Sequence, residues 1–218
     1  DHIHLSSVAS TPQILVDALC KRGETGELQD VRIHHLHTEG AAPYADPRFE
    51  GIFFHQAFFV GANVRKSVQA GYSDYIPVFL SETQKLYRCG ALRCDVAMVQ
   101  VCPPDKHGYV SLGTSVDATL AAIECAKTVI AQVNKYMPRT FGDPVIHVSQ
   151  IAAMCRGDEP LIEVPTPVPS AIETRIGNFI ANEIPDGATL QIGVGGIPNA
   201  VINALSGHQH LGLHTEAI

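Results

Sequence analysis

Apolar positions come in short blocks, and the spacing inside the blocks switches between two periods. The runs His2–Leu5, Val31–Leu36, Val96–Val101 and Thr128–Val133 are short and nearly continuous, which predicts buried strands. Tyr109–Leu112 reads as a further short strand, and Gly51–Val60 is strongly apolar and aromatic. Tyr75–Leu80 also reads as a strand, with Pro77 favouring an edge or a strand start. Between these blocks the period changes. Pro12–Leu19 places Ile14, Leu15, Ala18 and Leu19 at helical spacing, and Thr11 before Pro12 is a cap followed by a favourable first-turn residue. Asn63–Ala70 predicts a short helix closed by Gly71, and Asp117–Ala126 has helical character. Alternating strands and helices predict an α/β fold: an open, mainly parallel sheet flanked by helices.

The pattern breaks at Val164-Pro-Thr-Pro-Val-Pro-Ser, where alternating prolines make a stiff, extended linker. It separates a first domain, 1–165, from a second segment, 166–218. That segment opens with an amphipathic helix, Ser170–Ile184, and a strand, Thr189–Ile192. It also echoes the first. Pro12-Gln-Ile-Leu-Val-Asp-Ala-Leu aligns with Pro198-Asn-Ala-Val-Ile-Asn-Ala-Leu, and each is followed by a strand running into His-Thr-Glu, at 37–39 and at 214–216. The repeat favours two tandem domains of similar fold, the second truncated. Two unrelated strand–loop–helix units are the alternative. Both chain ends fall inside predicted strands, so the segment reads as a fragment with little activity of its own.

Composition narrows the classes. A formal net charge of −7 argues against nucleic acid as the main partner. The six cysteines form no CxxC pair and read as buried, reduced thiols. Eleven histidines include no HExxH; His34, His35 and His37 alternate along one strand, where metal binding is the lesser reading, and no metal ligand is assigned. No apolar run approaches the roughly 20 residues of a membrane helix, and no signal peptide is visible. The expectation is an enzyme of the cytoplasm, or of an organelle matrix in a eukaryote.

Two places carry candidate chemistry. Gln191-Ile-Gly-Val-Gly-Gly-Ile-Pro-Asn-Ala is a strand running through glycines into a helix. Glycines let backbone N–H groups approach a ligand, and a helix N-terminus favours negative charge. The string lacks the third glycine of GxGxxG, which weakens a dinucleotide reading. An oxyanion hole at Gly193, Val194, Gly195 and Gly196 fits, and so does a turn kept for packing alone. Glu216 closes the next apolar strand, Leu211-Gly-Leu-His-Thr, at the strand end where α/β sheets gather ligands. By itself it is either a nucleophile or base, or a solvated surface residue.

Longer strings decide more. Val99–Val116, with Cys-Pro-Pro-Asp-Lys-His-Gly-Tyr-Val-Ser-Leu-Gly, resembles the signature of the acetyl-CoA hydrolase / 4-hydroxybutyrate CoA-transferase family. Gly71-Tyr-Ser-Asp-Tyr-Ile-Pro-Val-Phe, Gly142-Asp-Pro-Val-Ile-His-Val-Ser, the glycine loop and Leu211-Gly-Leu-His-Thr-Glu resemble it as well. The resemblance implies a CoA-transferase-like fold of two similar domains. It implies a transferase moving CoA between short-chain acids such as acetate, butyrate or 4-hydroxybutyrate, with Glu216 as nucleophile and the loop backbone near Val194 and Gly195 donating to the thioester oxygen. Acyl-CoA and a carboxylate are then substrates, no cofactor is held permanently, and a homodimer is expected. Ala217 stands where the family often has Met. Glu39 sits in a similar tripeptide to which the family gives no such role. A hydrolase on the same scaffold is the nearest rival, and a non-catalytic ligand-binding module a more distant one.

Overall fold

The computed structural model describes residues 1–165 and 167–215. It divides into two compact units, Asp1–Glu163 and Val164–Ile218.

The first unit is built on strands β1 (His2–Leu5), β2 (Val31–His35), β3 (Phe53–Ala57), β4 (Ser73–Tyr75), β5 (Val96–Val101), β7 (Thr128–Val133) and β9 (Ala153–Arg156). They form one sheet in the order β4-β3-β2-β1-β5-β7-β9, every neighbouring pair parallel. A separate antiparallel pair joins β6 (Tyr109–Ser111) to β8 (Val145–His147). Helices α1 (Gln13–Glu24), α2 (Arg65–Ala70), α3 (Thr83–Arg88) and α4 (Thr119–Cys125) supply the crossovers. Parallel strands need such crossovers and must be covered on both faces, hence their continuous apolar runs. One core cluster joins Ile3, Leu5 and Ile33 to Val16, Leu19 and Cys20 of α1 and to Phe49 and Phe53. Another gathers Phe58, Tyr87, Cys94, Ala118, Ala121 and Ala122 beneath α3 and α4.

The strand expected at Tyr75–Leu80 lies earlier, at Ser73–Tyr75 on the sheet edge, and a 3₁₀ turn begins at Leu80. Pro77 has no N–H for a ladder, so pairing stops before it. Helix α1 runs past Leu19 to Glu24, and Lys21 and Arg22 favour its carboxyl end. Cys20, Cys94 and Cys102 are buried thiols as read from sequence, but Cys89 and Cys125 are exposed because each sits at the end of a helix, α3 and α4.

The second unit holds α5 (Ala171–Asn182), β10 (Thr189–Leu190), α6 (Gly196–Ala204) and β11 (Gly212–Leu213). Ser170 caps α5 in a reciprocal box with Glu173. Helices α5 and α6 pack closely because Gly177 has no side chain: a Cβ there would lie 2.7 Å from the Ala200 carbonyl carbon. Ala181, Val201 and Leu205 form the small core beneath. Strands β10 and β11 pair in parallel around α6, as β1 and β2 pair in parallel around α1.

Candidate active site

The glycine loop leaves β10 at Leu190 and enters α6 at Gly196. Ile192 is buried, whereas Val194 is 81% exposed. Gly195 has φ 138° and ψ 179°, a backbone region that essentially only glycine enters. At Gly196 the neighbour is a side-chain end: an added Cβ would push the Glu173 carboxylate aside. That carboxylate is fixed by the Ser170 side chain and backbone, both at 2.7 Å, and these bonds hold its pKa below the usual range. The first helical hydrogen bond runs from Asn199 N to Gly195 O at 3.1 Å. Pro198, in the first turn, has no N–H to satisfy. Val194, Gly195 and Gly196 lie where helix α6 begins, with the positive end of its dipole behind them and the Glu173 carboxylate beside Gly196.

The strand leading to the candidate nucleophile is fastened to this loop. His214 N donates to Leu190 O at 2.9 Å. Ile192 N donates to Thr215 Oγ1 at 3.0 Å, and Thr215 Oγ1 donates back to Ile192 O at 2.7 Å. The chain position before Glu216 is thereby held to the position before Gly193. Glu216 itself lies outside the described residues, with Ala217 and Ile218.

The counterpart in the first unit is closed. The loop after β1 spends its donors inward: Ser6 N on Met98 O at 3.0 Å, Ser7 N on Ser115 Oγ at 2.9 Å, and Val8 N on His37 O at 2.8 Å. Ser10 N bonds Ser7 O and Thr11 N bonds Val8 O. Ser6, Ser7, Ser10 and Thr11 are all buried. Glu39 pairs with His37, Oε1 to Nε2 at 2.8 Å, and its own N–H donates to Thr11 Oγ1 at 3.3 Å.

His34, His35 and His37 end in three different environments. Strand alternation turns His34 towards Gln56 on one face and His35 towards Tyr44 and His55 on the other, while His37 meets Glu39 beyond the strand. Among the described residues no group of three or more His, Cys, Asp or Glu side chains gathers as a metal site. Glu173 is the site neighbour that sequence reasoning passed over. Its only signal is the Ser170-x-x-Glu173 capping box, which says nothing about Gly196. No described helix is long and apolar enough to cross a membrane.

With this geometry in hand, known proteins give a consistent answer. The family model described as the acetyl-CoA hydrolase/transferase N-terminal domain matches residues 1–165. The chain is 44% identical to a succinyl-CoA:acetate/propanoyl-CoA:succinate CoA transferase of Fasciola hepatica, over 99% of this chain and 45% of that protein. It is 43% identical to the 4-hydroxybutyrate coenzyme A transferase of Clostridium kluyveri, over 95% and 48% of the two. Among solved structures, RipA from Yersinia pestis matches with a TM-score of 0.90 at 31% identity, over 99% of this chain and 52% of RipA. The chain thus spans about half the length of these relatives.

Proposed function

Since the chain belongs to the acetyl-CoA hydrolase/transferase family, we propose that the full-length protein transfers CoA between short-chain carboxylic acids by a ping-pong reaction through Glu216. The observation that carries this reading is the pair of hydrogen bonds between Thr215 and Ile192. They fasten the approach to Glu216 against the glycine loop that opens helix α6, whose N–H groups are those of a helix start. Acyl transfer needs a nucleophile and oxyanion donors around one carbonyl. The donor-spent loop before Glu39 does not supply them.

The Glu216 carboxylate attacks the thioester carbonyl of acyl-CoA. The tetrahedral oxyanion collapses, the C–S bond breaks, and CoA leaves as a thiolate from an acyl-glutamyl anhydride. The thiolate then attacks the glutamyl carbonyl, which releases the first acid as a carboxylate and leaves a glutamyl-CoA thioester. A second carboxylate takes CoA by the same steps in reverse. Val194 and Gly195 N–H groups would stabilise each oxyanion, one such donor being worth about 3 kcal/mol. CoA enters and leaves as substrate, without a resident cofactor. Substrates of the succinate, acetate or 4-hydroxybutyrate kind are suggested by the names of the relatives. A homodimer in the cytoplasm or an organelle matrix is the setting the family likeness suggests; sedimentation and fractionation test it.

The family description also names hydrolases, so water as final acceptor is the second reading. Product formation from acyl-CoA with and without an acceptor acid separates the two. Borohydride reduction of the full-length protein after incubation with acyl-CoA, followed by peptide mapping, should place the trapped group on Glu216. Glu216→Gln should lose nearly all turnover while remaining folded, and Glu39→Gln should keep much of it. Label on Glu39, or an active Glu216→Gln protein, overturns the assignment.

A further inference from the structure

A chain of hydrogen bonds runs from the core of the first unit to the loops at the carboxyl ends of β2 and β3. His55 Nε2 lies 2.7 Å from His35 Nε2, and the two rings stack with centroids 4.5 Å apart. Tyr44 Oη lies 3.0 Å from the same His35 nitrogen and 2.9 Å from Thr38 Oγ1. Asn63 Nδ2 then donates to Thr38 Oγ1, Thr38 O and Gly40 O, at 3.2, 2.9 and 3.2 Å. One connected path therefore joins a histidine pair without solvent exposure to the segments 38–40 and 61–63.

The pair has room for one hydrogen between its facing nitrogens. Nδ1 of His35 and Nδ1 of His55 are both buried and lack a hydrogen-bond partner among the described residues. In either tautomer an added proton has two destinations. At a facing Nε2 it meets another donor; at Nδ1 it makes a buried cation, eased on His35 only by the Leu36 backbone and on His55 by nothing among the described residues, a costly state. Among the described residues no counter-charge relieves this. Tyr44 faces the pair from the 3₁₀ turn, His37 lies beyond β2 and His4 acts from the opposite face of the sheet, while from α1 the Cys20 thiol faces Tyr44. Arg48, Asp17 and Glu24 act around Cys20 rather than the histidines.

We infer that the His35–His55 pair is an acid-operated release for the loops at the carboxyl ends of β2 and β3: neutral, it holds them through Tyr44 and Thr38, and when protonated it lets them go before the sheet unfolds. Burial lowers the affinity of both rings for protons, to a pKa of about 4 for His55 and well below the ordinary value for His35. Holding is therefore complete at neutral pH and is lost as pH falls.

Amide hydrogen exchange of the full-length protein, corrected for the intrinsic pH dependence, tests this. Between pH 7 and 4.5, peptides covering 36–44 and 57–64 should lose at least tenfold more protection than a peptide covering 96–101, which follows the global stability of the sheet. His55→Gln, which cannot titrate, should flatten the loop response. Tyr44→Phe, which leaves the pair and cuts the path, should weaken it without changing the acid titration of the His55 ring followed by NMR. An equal loss in all three peptides, an undiminished response in Tyr44→Phe, or a loop-specific pH response that survives in a folded His55→Gln protein overturns the inference.

Discussion

Thr215 uses one hydroxyl to hold both backbone groups of Ile192, accepting from its N–H at 3.0 Å and donating to its carbonyl at 2.7 Å. Valine has the same shape without the hydroxyl. Thr215→Val should strand buried backbone groups, at about 1–3 kcal/mol, and free the segment that leads to Glu216. In the full-length protein kcat should fall ten- to a hundredfold with KM little changed. Thr215→Ser should restore most of it, and steady-state kinetics of the two variants check the pair.

Gly195 and Gly193 should respond differently to alanine. Gly195 sits at φ 138°, where a Cβ costs about 1–3 kcal/mol. At Gly193 an added Cβ meets nothing within 4 Å. Thermal unfolding should show Gly195→Ala lowered by several degrees and Gly193→Ala near the parent.

Asp95 clamps the amino ends of three strands. Its Oδ1 takes Arg93 at 2.7 Å and Lys127 at 2.8 Å, and its Oδ2 takes His2 N at 2.9 Å. Burial pushes this carboxyl up, but the bonds from Lys127, His2 and Arg93 outweigh it and leave its pKa well below the usual range. Its contribution is thus present above pH ~4 and lost in stronger acid. The two cationic partners are largely exposed, so salt screens part of the effect. Asp95→Asn should cost about 1–2 kcal/mol in denaturant unfolding, with the gap narrowing in high salt.

Buried histidines should set the acid limit of the first unit. Burial lowers the pKa of His4 to about 4, against a smaller upward pull from Asp117, and burial lowers His34 to about 3. Folded-state values are depressed, so the unfolded chain binds these protons first. Stability is full above pH ~6.5 and falls with pH below it, by up to about 1.4 kcal/mol per pH unit for each histidine. His4 bonds Tyr87 Oη at 2.9 Å and Thr119 Oγ1 at 3.0 Å. His4→Gln should remove one proton from the pH slope of unfolding between pH 6.5 and 5, at some cost in stability at pH 7.

Much of the sheet is legible in the sequence because its central strands are buried on both faces. Val96–Val101 and Thr128–Val133 appear as unbroken apolar runs and form β5 and β7 within those limits. The edge is not legible. Ala153–Arg156 is mostly exposed and, among the described residues, pairs only with β7, so no apolar pattern marks it. The glycine loop stands out by composition, since a strand interrupted by three glycines before a helix has few structural uses. The contact of Glu173 with Gly196 is invisible, because it depends on how α5 and α6 pack. The meeting of His35 with His55 is equally hidden, because it needs the register that sets Ile33 beside His55 and His35 beside Ala57.

Strand β1 lies between β2, the next strand made, and β5, which begins only at Val96. On a ribosome the half-sheet of β1 to β4 can assemble while the other edge of β1 stays bare. Closing that edge waits for residues 96–101, a delay of seconds at roughly 5–20 residues per second. Through that interval the nascent chain carries an open, apolar strand edge of the kind that recruits foreign strands. Translation speed across residues 76–95 is therefore part of how this sheet closes on itself rather than on a neighbour.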